Sequence, residues 1–342
     1  MKYIFFGTPK FAAIVLERLI NAGYIPEAVI CNPDELVGRK QILTPPPVKS
    51  WIMKHVTWNI PVLQPKKLDK DFKFQVSSFK PDLAIVAAYG KILPKEILEI
   101  PRLRAPFAEV ASATKAEQGF GGQAKHGFIN VHGSLLPKYR GASPIQAAIL
   151  NGDKETGITI MKIDEEMDHG PLLGKSEIRI SKSETFESLS QKLAISGAEL
   201  LVKTIPDYIS GKIKPIEQDH SKATYTEIIK REDGKIDWSK SAEEIERMTR
   251  AFYPWPTAWA IWNNKILKIF EVEIIEKDFT KSAIADFVKW PVGRVFLYKN
   301  IFAIKCNECA LVTKKLQLEG GKILSAKEFL NGHGDFIGSV LK

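Results

Sequence analysis

Cysteine is scarce in this 342-residue chain, with only Cys31, Cys306 and Cys309 present. Three is an odd, sparse set that cannot build a disulfide framework in a chain of this size, so a reducing compartment is expected, and with it the cytoplasm. Long hydrophobic runs are also missing. No stretch approaches the ~18 apolar residues of a membrane span, and residues 1–11 read as a strand entering a glycine turn rather than a secretion signal. No membrane partner is expected. Nor does glycine cluster where nucleotide chemistry needs it. The turn Phe6-Gly7-Thr8-Pro9-Lys10-Phe11 has one glycine where a dinucleotide fingerprint has three, Gly119-Phe120-Gly121-Gly122 follows no strand, and there is no Walker loop. This argues against NAD and against phosphate-cradling chemistry. Cys306-Asn307-Glu308-Cys309 has no second pair to complete a four-ligand metal site, and residues 301–311 read as two short strands with Asn307-Glu308 at the tip. No metal and no redox function are assigned.

Acidic residues are the minority charge, with 40 Asp and Glu against 49 Lys and Arg, a net charge of +9. The excess is concentrated. Residues 37–80 hold Arg39, Lys40, Lys49, Lys54, Lys66, Lys67, Lys70, Lys73 and Lys80 against Asp69 and Asp71 alone. Such a stretch suits a polyanion, but it also suits a plain solvated face, and charge does not choose between them.

At 44% hydrophobic and 26% charged, the chain is long enough to bury one large core and a smaller one. Short apolar strands at 2–6, 27–31, 81–88, 128–132 and 156–163 alternate with helical spacing at 11–20, 71–79 and 143–151, which implies a doubly wound, mostly parallel sheet with right-handed crossovers. Residues 183–209 are one more amphipathic helix. Beyond Gly211 the pattern changes to short strands and turns (258–270, 293–298, 301–305, 310–318), as in a small β-barrel. The expected organisation is a Rossmann-like domain over 1–210, a linker over 211–230 and a β-barrel domain over 231–342.

The informative stretch is Phe128-Ile129-Asn130-Val131-His132-Gly133-Ser134-Leu135-Leu136-Pro137-Lys138-Tyr139-Arg140-Gly141. Asn130 and His132 lie two apart on a strand, so they share a face, and they sit at the carboxyl end where open α/β sheets place ligands. The next strand runs into Asp164, Glu165, Glu166 and Asp168. Most of these suit an exposed acidic loop, but Asp168 precedes His169-Gly170-Pro171, a turn able to fix it inward.

The run Asn130-x-His132-Gly133-Ser134-Leu135-Leu136-Pro137, with Met167-Asp168-x-Gly170 one strand later, resembles the folate-dependent formyltransferases. Nearly the whole chain resembles those members that act on methionyl-tRNA, through Phe6-Gly7-Thr8-Pro9, Asn32-Pro33-Asp34, Gly38-Arg39, Pro45-Pro46-Pro47-Val48-Lys49, Ala88-Tyr89-Gly90-x-Ile92-Leu93-Pro94, Ile236-Asp237-Trp238 and Arg250-Ala251-Phe252-x-Pro254-Trp255-Pro256. The resemblance implies a monomeric one-carbon enzyme of translation initiation, which carries a formyl group from 10-formyltetrahydrofolate to the α-amino group of methionine on initiator tRNA. Asn130 and His132 would stabilise the oxyanion, His132 would help protonate the leaving nitrogen, and Asp168 would orient His132 and help remove the amine's proton. Ser134, Leu135, Leu136 and Pro137 would form a folate-binding turn, with the pterin near Tyr89, Gly90, Ile92 and Leu93. Arg39 and Lys40 would meet the tRNA acceptor stem, and Lys230 and Arg231 would hold phosphates.

Two departures stand out. His169 replaces the Thr that usually follows the Asp of this motif, and residues 104–126 have no counterpart in the pattern. Six of those twenty-three residues are Ala and three are Gly, with no apolar period, so they read as an inserted surface loop. Alternatives remain: a formyltransferase acting on an amino-sugar nucleotide, a formyltetrahydrofolate hydrolase using the same residues on water, or a non-catalytic tRNA-binding protein. A glycinamide ribonucleotide formyltransferase would lack the second domain.

Overall fold

A computed structural model of the chain describes residues 1–38, 40–55, 58–100, 126–275 and 287–342. The chain divides into two compact units. The first takes Met1–Ala142, Thr156–Ile178 and Ser190–Thr226, and the second takes Ser143–Glu155, Arg179–Leu189 and Glu227–Lys342.

The strands of the first unit are β1 (Tyr3–Gly7), β2 (Ala28–Ile30), β3 (Glu35–Val37), β4 (Ile42–Thr44), β5 (Val62–Leu63), β6 (Leu83–Ala87), β7 (Gly127–His132), β8 (Arg140–Gly141), β9 (Glu155–Lys162), β10 (Leu172–Arg179) and β11 (Tyr225–Thr226). The main sheet runs β10-β9-β7-β6-β1-β2-β5. From β7 to β5 every pair is parallel. β1 and β6 are buried at every position, as a parallel strand covered on both faces requires. On one face Phe6 meets the rings of Phe72, Tyr89 and Phe128. Helix α1 (Lys10–Asn21) buries Phe11, Ala12, Val15, Leu16 and Leu19 at helical spacing. Its successors are α2 (Pro47–Lys54), α3 (Lys70–Ser78), capped by the Asp69 side chain, α4 (Lys95–Leu98), α5 (Pro144–Leu150) and α6 (Phe186–Ile209).

One strand departs from the parallel expectation. β9 runs antiparallel to β7, with Asn130 opposite Met161 and His132 opposite Thr159. No helix separates β9 from β10, so the chain reverses through residues 163–171, and that reversal carries Asp168.

Between β2 and α2 the chain leaves the sheet as the β3–β4 hairpin. Its root is tied by Lys49, whose Nζ reaches both carboxylate oxygens of Asp34 at 2.9 and 2.8 Å and Gln64 Oε1 at 2.7 Å. Lys49 is therefore withdrawn from the basic face that its position in the sequence suggested. Hydrogen bonds from Lys49 and Gln64 hold the Asp34 carboxyl below the usual carboxylate range. Stability from an ionised Asp34 is then present above the ordinary carboxylate pKa and lost as pH falls through the lowered value. Melting curves of wild type and Asp34→Asn between about pH 3 and about pH 7 should show the wild-type advantage widen with rising pH and then level off. A pH-independent difference would mean that the charge of Asp34 does not hold the root.

The second unit contains α7 (Ala242–Ala251), strands β12 (Ala258–Trp262), β13 (Lys265–Ile274), β14 (Val295–Tyr298), β15 (Ile301–Lys305), β16 (Ala310–Leu318) and β17 (Leu324–Ser325), and α8 (Ala326–Gly332). The strands form an antiparallel sheet in the order β12-β13-β16-β15-β14, with β17 on β16, around Leu267, Ile269, Phe302, Ile304, Leu311, Phe329 and Phe336. Both helices start with a full capping box, Ser241 with Glu244 and Ser325 with Glu328. α5 and residues 179–189 group here because α7 holds them: Arg247 donates to Leu150 O at 2.8 Å and Arg250 to Glu184 O at 2.9 Å. Cys306 and Cys309 are buried beside the turn between β15 and β16, and burial pushes the Cys306 thiol up to about 12. A thiol held protonated is a poor nucleophile or metal ligand.

Candidate active site

β7 carries Asn130 and His132 to the carboxyl edge of the parallel strands, on one face by the two-residue period. The 163–171 reversal brings Asp168 to them. Asn130 Nδ2 donates to Asp168 Oδ1 at 3.3 Å, and His132 Nδ1 lies 3.5 Å from Asp168 Oδ2. His132 is 5% exposed, so the pair is shielded from water on the histidine side.

The backbone that follows β7 completes the site. His132 Nε2 contacts Tyr139 O at 2.9 Å, and since a carbonyl only accepts, this nitrogen carries a proton. Nδ1 is left as the atom facing Asp168. Gly141 donates its N–H to Asp168 Oδ2 at 2.8 Å. A side chain would not fit there: Gly141 has φ 108°, and an added Cβ would stand 2.3 Å from Thr226 O. Asp168 itself has φ 48°, a left-handed conformation that Asp tolerates better than most residues. Gly170 closes the reversal where a Cβ would meet Lys162 O at 2.1 Å.

Two other acids of this loop, Asp164 and Glu165, have partners of their own. Asp164 accepts from Glu166 N and lies 2.7 Å from His169 Nδ1, while Glu165 pairs with Lys95 at 2.6 Å at the start of α4. His169, the unusual residue of the motif, stacks on His220 with centroids 4.0 Å apart and the rings 5° from parallel. Its side-chain bond is to Asp164 rather than to Asp168.

The residues expected to hold folate divide into two sets. Ser134 and Leu136 are fully buried, with Ser134 Oγ donating to Lys138 O, Thr159 Oγ1 to Ser134 O at 2.7 Å and Leu136 N to Thr159 Oγ1 at 3.1 Å. Their side chains shape the turn that delivers Tyr139 and Gly141. Leu135 and Pro137 are half-buried. Tyr89 is also core, 2% exposed against Phe6, whereas Gly90 and Ile92 are exposed and Leu93 is half-buried on the loop after β6. Of the residues expected to meet tRNA, Arg39 lies outside the described residues, Lys40 is exposed, and Lys230 and Arg231 are exposed around the turn Glu232–Gly234. The inserted stretch 104–126 is likewise outside the described residues except His126. That residue belongs to the fold, donating its N–H to Asp82 O at 3.2 Å and accepting from Tyr208 Oη at 2.7 Å. Among the described residues no group of three or more His, Cys, Asp or Glu could hold a metal.

No sequence signal marks Gln218, which donates to Asp168 O at 2.9 Å and Gly170 O at 2.8 Å. It lies in the stretch expected to be a linker, of which residues up to Thr226 belong to the first unit, where β11 pairs with β8.

Comparison with known proteins points the same way as the geometry. The family described as "Formyl transferase" matches residues 1–105 and 120–205, and "Formyl transferase, C-terminal domain" matches 228–334. The gap between the first two stretches falls inside the expected insertion. A methionyl-tRNA formyltransferase of Halalkalibacterium halodurans is 42% identical over 100% of this chain and 98% of its own length. One from Bacillus subtilis is 39% identical over 99% and 97%. The fold is also that of HypX from Aquifex aeolicus, solved in complex with tetrahydrofolic acid, at 15% identity and TM-score 0.59 over 99% of this chain and 48% of that one. The sugar 3N-formyl transferase WlaRD gives 19% and 0.58 over 94% and 99%. Identity near two-fifths across both units, over at least 97% of each relative's length, is far beyond what a shared fold requires, and the chain belongs to the methionyl-tRNA formyltransferase family.

Proposed function

We propose that this chain transfers the formyl group of 10-formyltetrahydrofolate to the α-amino group of methionine on initiator tRNA, working as a monomer without a metal. The observation that carries the reading is the convergence of Asn130, His132 and Asp168 at the carboxyl edge of the sheet. Acyl transfer from an amide-like donor needs a neutral amine, donors for the oxyanion and a proton for the leaving nitrogen. Asn130 uses one N–H on Asp168 and keeps the second for the oxyanion. His132 has its Nε2 proton engaged by Tyr139 O, so Nδ1 handles the travelling proton. The Asp168 carboxylate, oriented by Asn130 and Gly141, accepts the proton of the attacking amine and supports the imidazolium.

In this reading the donor lies along the loop after β6, where Gly90, Ile92 and Leu93 are accessible, with Tyr89 as its buried floor. The Lys95–Glu165 pair links that loop to the one bearing Asp168. Leu135 and Pro137 border it, and Arg39, Lys40, Lys230 and Arg231 supply cationic contacts to tRNA. Residues 1–210 act as the catalytic domain and 231–342 as the tRNA-binding domain. Incubation with 10-formyltetrahydrofolate and either methionyl initiator tRNA or an amino-sugar nucleotide tests this. Formylation of the sugar alone, or hydrolysis of the donor with neither acceptor formylated, would overturn it.

The insertion should be dispensable for this chemistry. Phe107, Val110 and Phe120 are its only large apolar residues, few against the entropy of ordering over twenty residues. Loop closure costs only about 0.6 kcal/mol per doubling of length, so removal should change stability little. Excision of 104–125, which keeps the bonded His126, is expected to leave the rate of methionyl-tRNA formylation within about threefold of wild type. A folded deletion variant unable to bind donor or tRNA would place the insertion in the site.

A further inference from the structure

We propose that Gln218 is a positioning residue for Asp168, and that Arg140 sets its orientation; the proposal rests on the function given above. Among the described residues Arg140 is the largest fully buried side chain, 2% exposed, and its partners there include no carboxylate. Its Nε and one terminal nitrogen both donate to Gln218 Oε1, at 3.2 and 2.8 Å. The guanidinium also donates to His220 Nδ1 at 2.8 Å and to Tyr225 Oη at 3.3 Å.

A guanidinium has no acceptor, so Gln218 must turn its oxygen toward Arg140. The amide nitrogen is thereby aimed the other way, at the carbonyls of Asp168 and Gly170, which can only accept. Chemistry on both sides therefore fixes an amide whose two ends are otherwise interchangeable. The two carbonyls span the left-handed residue Asp168 and the crowded Gly170, the part of the reversal least able to hold its shape alone. Arg140 lies between Tyr139, whose carbonyl binds His132, and Gly141, whose N–H binds Asp168. One buried cation thus ties the backbone that holds the imidazole to the backbone that holds the carboxylate. Its reach passes through Gln218, 78 residues away in sequence.

The competing explanation is that Gln218 merely supplies acceptors to a buried Arg140. Gln218→Glu separates the two. A carboxylate keeps the acceptor and adds charge pairing with Arg140, but it presents an oxygen to the two carbonyls where the amide presented donors. Displacements of about 1 Å in a reacting group are worth roughly a hundredfold in rate. We expect kcat for methionyl-tRNA formylation to fall about tenfold to a hundredfold, with KM for tRNA and donor within about twofold and the melting temperature at or above wild type. Gln218→Ala should show the same split between kcat and KM. A Gln218→Glu enzyme with wild-type kcat overturns the proposal, as does one that loses KM alone or melts well below wild type, because the amide would then serve binding or the fold. The wild-type control keeps the two claims apart: if wild type formylates no methionyl-tRNA, the proposed function fails, whereas an active wild type beside an equally active Gln218→Glu sinks the positioning role only.

Discussion

Alanine at Asn130, His132 or Asp168 is expected to lower the rate constant for formyl transfer by about a hundredfold to a thousandfold while changing tRNA affinity less than about twofold, the scale set by loss of a single oxyanion donor. Asn130 donates to Asp168 at 3.3 Å and His132 Nδ1 lies 3.5 Å from the same carboxylate, so the effects of the three should not add. Once Asp168 is gone, Asn130 and the Gly141 N–H lose their shared acceptor and the imidazole loses its counter-charge, and a second substitution has little left to remove. Asp168→Asn is the sharper variant. Asn tolerates the left-handed conformation at φ 48° and keeps an oxygen for the Gly141 N–H, so the loop should stand while the charge is lost. A near-complete loss of turnover in Asp168→Asn with unchanged melting assigns the role to the charge. Near-normal turnover in any of the three alanine variants would remove that residue from the mechanism.

The sheet was readable in the sequence because β1 and β6 are buried on both faces and therefore appear as uninterrupted apolar runs. Asn130 and His132 were readable for a related reason, since a two-residue period interrupts such a run with polar groups on one face. The direction of β9 was not, because the residue pattern is the same whichever way a strand runs, and its antiparallel pairing with β7 is decided by tertiary contacts. Loops have no period, so Asp168 emerged from a motif rather than from spacing. Ser134 and Leu136 belong to the same motif and are buried, so a motif marks where residues are constrained without saying by what. Gln218 and Arg140 escaped notice because their bond joins an irregular segment to a two-residue strand, and neither segment announces a partner.

Arg39→Ala should cost the enzyme its grip on tRNA rather than its chemistry. The sequence puts Arg39 between Gly38 and Lys40 at the turn joining β3 and β4, whose arms expose Leu36 and Leu43 at 60% and 62%. An isolated two-stranded hairpin is marginal in water, and this one is held at its root by Lys49, Asp34 and Gln64. Such a projection has no core of its own to serve, so an apolar, basic tip is best explained as a surface for a large polyanion. A guanidinium reading a base edge or phosphate fork is worth ~1–3 kcal/mol, so kcat/KM for methionyl-tRNA should fall roughly tenfold to a hundredfold with the donor KM unmoved. Arg39→Lys decides the contact type. If the contact is a point charge on phosphate, lysine should restore most of the affinity, and Arg39→Ala should flatten the salt dependence of tRNA binding by about one unit of slope. If it is a planar, two-pronged contact, lysine should behave like alanine and the slope should hardly move. Lys230→Ala and Arg231→Ala should each cost less, as exposed cations bordering a broad surface do. Tight wild-type binding that ignores salt, or an Arg39→Ala enzyme with normal tRNA kinetics, would exclude the hairpin from recognition.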